Sequence, residues 1–69
     1  MFDAKEFRKA LIDADKTLTA AAEYMEMTPI TMRRKMRSGG FYHGEIERFI
    51  EFTGISRETA YEKIFKGGE

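Results

Sequence analysis

The chain predicts an all-α fold, a compact bundle of five short helices. Three observations predict it. Apolar residues recur at three- and four-residue spacing in each segment between turn residues, and no segment carries a strand signal. Asp3, Thr17, Thr28 and Ser56 each stand just before such a segment, where a side-chain oxygen can accept from the unpaired N–H groups of a first helical turn. Glycine breaks at Gly39-Gly40, Gly54 and Gly67-Gly68 close the later segments. At 69 residues the chain is one domain, 1–69, near the size at which a single core is marginally sufficient.

Each element follows from its own residues. Asp3, with Glu6 three positions on, predicts a capping box opening helix one. Phe7, Ala10, Leu11 and Ala14 form its apolar stripe, and Lys5, Glu6, Arg8, Lys9 and Asp13 its wet side. Asp15-Lys16 is a polar connection. Thr17 caps helix two, whose apolar face is Leu18, Ala21, Ala22 and Met25. Thr28 caps helix three, and Pro29 takes its first position, where the missing N–H costs nothing. Ser38-Gly39-Gly40 ends it, and Phe41 and Tyr42 are expected to fold back onto the core. Helix four runs from His43 or Gly44 to Thr53, with Ile46, Phe49, Ile50 and Thr53 inward, and Gly54 stops it. Ile55 is an apolar plug. Ser56 caps helix five, which buries Ala60, Tyr61, Ile64 and Phe65 and ends at Gly67-Gly68.

Helices two and three have the logic of a helix-turn-helix, in which the second helix lies in the DNA major groove. Ala22 is small where two helices must cross closely. Met32 and Met36 point one way, and Arg33, Arg34, Lys35 and Arg37 point elsewhere. The formal net charge is zero, but its distribution is uneven. Residues 1–32 hold four bases and six acids, residues 39–69 hold the same, and the four bases between them face no acid. A basic face with slightly acidic flanks can bind phosphate locally while limiting non-specific affinity, which scales with the phosphates neutralised.

Other classes find little support. There is no cysteine and one histidine, so neither a disulfide nor a metal site is expected. No nucleophile-plus-base set or phosphate-binding glycine loop is present, so no enzyme and no cofactor are expected. No apolar run is long enough for a membrane span and there is no signal-peptide core. A soluble, cytoplasmic protein follows as the expectation. Met25, Met27, Met32 and Met36 are expected to fill gaps around the helix-turn-helix.

Thr17, Ala22, Met27-Thr28, the run Thr31 to Met36, Phe41, Glu45-Ile46 and Gly54-Ile55-Ser56 stand in the order and spacing of a known family. The chain resembles the lambda-repressor-like, Cro/C1-type helix-turn-helix DNA-binding domains of phages and bacteria, from about Phe7 to Phe65. Ala21-Ala22 and the run from Thr31 also look like the Fis-type motif, but there the motif tends to close the chain, and here two helices follow. Leu18 stands where many Cro/C1-type domains carry a DNA-contacting Gln, Glu26 replaces the usual turn Gly, and Pro29 takes a position that is often a polar base reader. A residue other than glycine in a left-handed turn costs on the order of 1 kcal/mol.

The resemblance implies a phage or prophage transcription regulator acting on double-stranded DNA in a bacterial cell or its nucleoid. A repressor acting by operator occupancy fits best, with no small-molecule effector evident. Ile30, Thr31, Arg33 and Arg34 are the candidate base readers; one of the two arginines reads a base and the other holds phosphate. Ile30 could instead pack under a neighbouring helix. Thr17, Thr19, Lys35, Arg37, Tyr42, His43 and Gly44 are the candidate phosphate contacts. Such domains usually act as homodimers, and Tyr61, Ile64 and Phe65 are the candidate interface unless the monomer core needs them. The rival reading is a protein-binding module on the same fold, an antirepressor or host-factor modulator that does not bind DNA; Leu18, Pro29 and Ile30 would suit it.

Overall fold

Asp3, Thr17, Thr28 and Ser56 cap as their positions predict: each side chain accepts the backbone N–H three residues on, at 3.0–3.1 Å. The computed structural model describes residues 2–66, and all regular structure among them is helical. The elements are α1 (Ala4–Asp13), α2 (Leu18–Tyr24), α3 (Pro29–Ser38), α4 (His43–Thr53) and α5 (Arg57–Thr59), which continues without a break as a π-helical segment (Ala60–Ile64). The helix end expected at Gly67-Gly68 lies outside the described residues.

The first capping box forms only in half. The Asp3 N–H that Glu6 would have taken donates instead to the Ile64 carbonyl at 2.8 Å, tying the start of α1 to the far end of the chain. The second half of such a box appears where the sequence did not suggest one: Glu45 accepts the Tyr42 N–H at 2.9 Å and fixes the entry to α4.

Two helices end on left-handed residues that are not glycine, Asp15 at φ 58° and Glu26 at φ 62°. The following N–H then reaches back to close the helix, Lys16 to the Leu11 carbonyl at 2.8 Å and Met27 to the Ala22 carbonyl at 2.9 Å. Glu26 therefore holds the strained conformation that glycine would have taken freely. At the end of α3, Gly39 has φ 76° and a side chain there would meet the Phe2 Cβ at 3.0 Å, so glycine is required twice over.

The core is aromatic at its centre. Phe7 has no exposed surface and its ring stacks on Phe49 at 4.4 Å, with Phe41 at 5.8 Å and Phe65 edge-on at 5.9 Å. Phe2, at 5.4 Å from Phe7, closes this cluster from the N-terminal side. Met25, Met32 and Met36 fill the space around buried Ala21 and Ala22, where α2 meets α3. Burying these faces stabilises each helix more than its intrinsic propensity does, since isolated helices this short are marginal in water.

Two expectations are corrected. Ile64 and Phe65 are 1% and 3% exposed within the single chain, so neither can serve as a dimer surface. The π-turn, closed by the Phe65 N–H to the Ala60 carbonyl at 2.8 Å, places these two consecutive side chains in the core together. Tyr42 does not fold back; it is 72% exposed while Phe41 beside it is buried. Among the described residues no helix is long and apolar enough to cross a membrane.

Candidate functional site

The outward face of α3 is built by helical geometry. Ile30, Arg33, Arg34 and Arg37 stand at i, i+3, i+4 and i+7, which brings them onto one stripe. All four are exposed. Met32 and Met36 lie on the opposite side and are buried, so the core holds α3 by one face and presents the other. Thr28 and Pro29 fix the start of the helix and Gly39 its end.

The charges on this face are free. Among the described residues, Arg33, Arg34 and Arg37 have no carboxylate partner, whereas Arg48 pairs with Glu26 at 3.4 Å and Arg57 pairs with Glu47. Ile30 is 75% exposed, which removes the alternative that it packs under a neighbouring helix. Thr31 is half-buried, and its hydroxyl accepts from that of Thr28 at 3.1 Å; it serves the cap before anything else.

Lys35 departs from the expected phosphate role. Its ammonium lies 3.0 Å from both Glu45 oxygens, with side-chain exposures of 12% and 19%. It also sits 4.1 Å above the Tyr42 ring, a favourable cation–π placement. This cation joins α3 to the start of α4 and is already neutralised.

The remaining phosphate candidates fall on two helix starts. Thr17 and Thr19 are exposed at the head of α2, where the Thr17 hydroxyl is occupied by the Ala20 N–H at 3.1 Å. Gly44, near the head of α4, opens on free space. His43 is drawn into a polar cluster joining α4 to the π-helical segment. The Tyr61 hydroxyl donates to Glu47 at 2.6 Å, so at its 3.0 Å contact with His43 Nδ1 the ring nitrogen donates. Arg57 also binds Glu47. The bond from Tyr61, and next that from Arg57, holds the Glu47 carboxyl below its ordinary value. Burial first, and then the bond to that carboxylate, pushes the Tyr61 hydroxyl up to about 12. The cluster explains Tyr61 as an internal tie.

One residue of the site escaped the sequence reading. Arg8 of α1 joins Arg33 and Arg37 of α3 around a cleft of about 230 Å³ floored by Ala4 and Met36. Arg8 likewise has no carboxylate partner among the described residues. No sequence signal separates it from Lys5 or Lys9, because only the fold, which sets α1 and α3 on either side of one cleft, selects it. Among the described residues no group of three or more His, Asp or Glu could hold a metal ion.

No family model, curated protein or solved structure matches this chain. The functional reading therefore stands on the geometry and on the motif resemblance of its residues.

Proposed function

We propose that this chain is a sequence-specific regulator that binds double-stranded DNA, with α2 and α3 as its helix-turn-helix and α3 in the major groove. One observation carries the reading: three arginines with no carboxylate partner among the described residues share, with one exposed isoleucine, the outward stripe of a helix whose other face is locked into the core. A helix of about 10–12 Å diameter enters a groove about 12 Å wide. Guanidinium forks can read guanine O6 and N7, each good pair giving about 1–3 kcal/mol of discrimination, and Ile30 can meet a thymine methyl.

On this reading the protein acts by occupying its site, as a Cro-like repressor does. Two copies would bind half-sites about one helical turn apart, through a surface other than Ile64 and Phe65. Sedimentation with and without DNA tests the dimer; a single copy in both states removes it.

The rival reading, a protein-binding module that does not touch DNA, is favoured by one observation, the bare Ile30 amid the arginines. Selection from a random duplex pool separates the two. DNA binding predicts enriched sequences, affinity that falls steeply with salt, and loss of binding in the Arg33→Ala, Arg34→Ala double variant. If no duplex is retained at about 50 mM salt, the protein-partner reading replaces it.

A further inference from the structure

The cleft between α1 and α3 has an unusual lining for a chain with as many acids as bases. Arg8, Arg33 and Arg37 line it with Ala4 and Met36, and among the described residues no carboxylate lines it. Three arginines lining one concavity concentrate positive charge there, which an anion would offset. They are also free to take one, since no described carboxylate pairs with any of the three. The next groove along α1 contrasts with it: Lys9 and Lys63 there are interleaved with Glu6 and Asp13.

We infer that this cleft is a phosphate seat and that it divides the α3 arginines by role. Arg33 and Arg37 lean to the α1 side of the stripe and, with Arg8, clamp a tetrahedral phosphate through paired N–H donors. Arg34 lies outside the cleft, on the other side of the stripe beside Ile30, and is the arginine that reads a base edge. The occupant assigned here is a phosphodiester of the duplex backbone, which rests on the DNA-binding reading above. The phosphate chemistry itself does not. Arg8 becomes a residue that positions α3 from a neighbouring helix and carries no sequence information.

The test uses the full chain and two probes. In nitrogen-labelled protein titrated with inorganic phosphate, the side-chain Nε–H signals of Arg8, Arg33 and Arg37 are expected to shift along one saturating curve while Arg34 stays still. Arg8→Ala should abolish the shifts at the other two. Signals that move no more than that of Arg34 would overturn the seat. In duplex binding, Arg8→Ala is expected to reduce the slope of log affinity against log salt by about one unit and to leave the selected sequences unchanged. Arg34→Ala should change which sequences are selected. Lys9→Ala, the same charge lost one position along α1 but facing the other groove, is the control and should leave the slope alone. Equal loss in the Arg8 and Lys9 variants would mean a general field and no seat. Phosphate shifts without duplex binding would assign the seat to free phosphate esters and overturn the DNA reading alone. Arg8 is exposed, and circular dichroism of Arg8→Ala checks that the fold is kept.

Discussion

Replacing Glu45 by alanine should cost far more stability than a surface acid normally would. Two contributions are lost at once. The carboxylate accepts the Tyr42 N–H at 2.9 Å at the start of α4, and loss of such a terminal bond costs about 1 kcal/mol. It also holds the Lys35 ammonium at 3.0 Å in a setting where the two side chains are only 12% and 19% exposed. Fully exposed pairs contribute about 0.2–1 kcal/mol, and this covered one belongs at or above the top of that range. The ammonium left behind keeps the Tyr42 ring face, which limits the penalty. The expected total is about 2 kcal/mol, or roughly 8–16 °C in Tm for a domain of this size. Thermal unfolding by circular dichroism at neutral pH measures it. A double-mutant cycle with Lys35→Met should return a coupling near 1 kcal/mol, little changed by salt. The Lys35→Met variant should keep the wild-type salt slope in any duplex binding. A Glu45→Ala loss under about 0.5 kcal/mol, or a cycle with no coupling, would refute the assignment of Lys35 to an internal tie.

Position 26 should rank substitutions by their tolerance of φ 62°: Gly and Asn at least as stable as Glu, and Val lower by about 1 kcal/mol or more. Urea midpoints decide it, and a Val variant matching Gly would show that the turn is not strained. Stability should also fall at both pH extremes through the Glu47–Tyr61 tie. The Glu47 pKa is lower in the folded state, so its contribution is complete above the ordinary value of 4.5 and is lost as pH drops below it; Glu47→Gln should flatten this acid limb. The Tyr61 pKa is higher in the folded state, so its contribution is complete below 10 and is lost as pH rises toward about 12. Tyr61→Phe should remove that alkaline loss, and in ultraviolet titration it should remove the latest-ionising tyrosine of the wild type, since Tyr24 is raised as well. Phe7→Ala should leave the chain largely unfolded, because truncating a fully buried phenylalanine costs about 3–5 kcal/mol, comparable to the whole stability of a small domain. A folded Phe7→Ala protein with a native-like Tm would show that the aromatic centre matters less than its packing implies.

Local rules reached far in this chain because its helices are short and sharply punctuated. Caps at Asp3, Thr17, Thr28 and Ser56, the stop at Gly39 and the buried faces around Phe7, Met32 and Phe49 depend on residues within one or two turns, and the linear order of side chains specifies them. The stripe of Ile30, Arg33, Arg34 and Arg37 is equally local, a consequence of 3.6 residues per turn. What the linear order left open was settled by contacts between residues far apart in the chain. The Asp3 N–H is claimed by Ile64, Lys35 is claimed by Glu45, and Tyr61 is drawn to Glu47. Arg8 enters the cationic cleft only because the fold sets α1 and α3 on either side of it. A helical period says which way a side chain points from its own axis; which neighbour waits there depends on how the helices pack. For that reason the availability of each arginine and lysine, unlike its position on a face, was a property of the folded molecule alone.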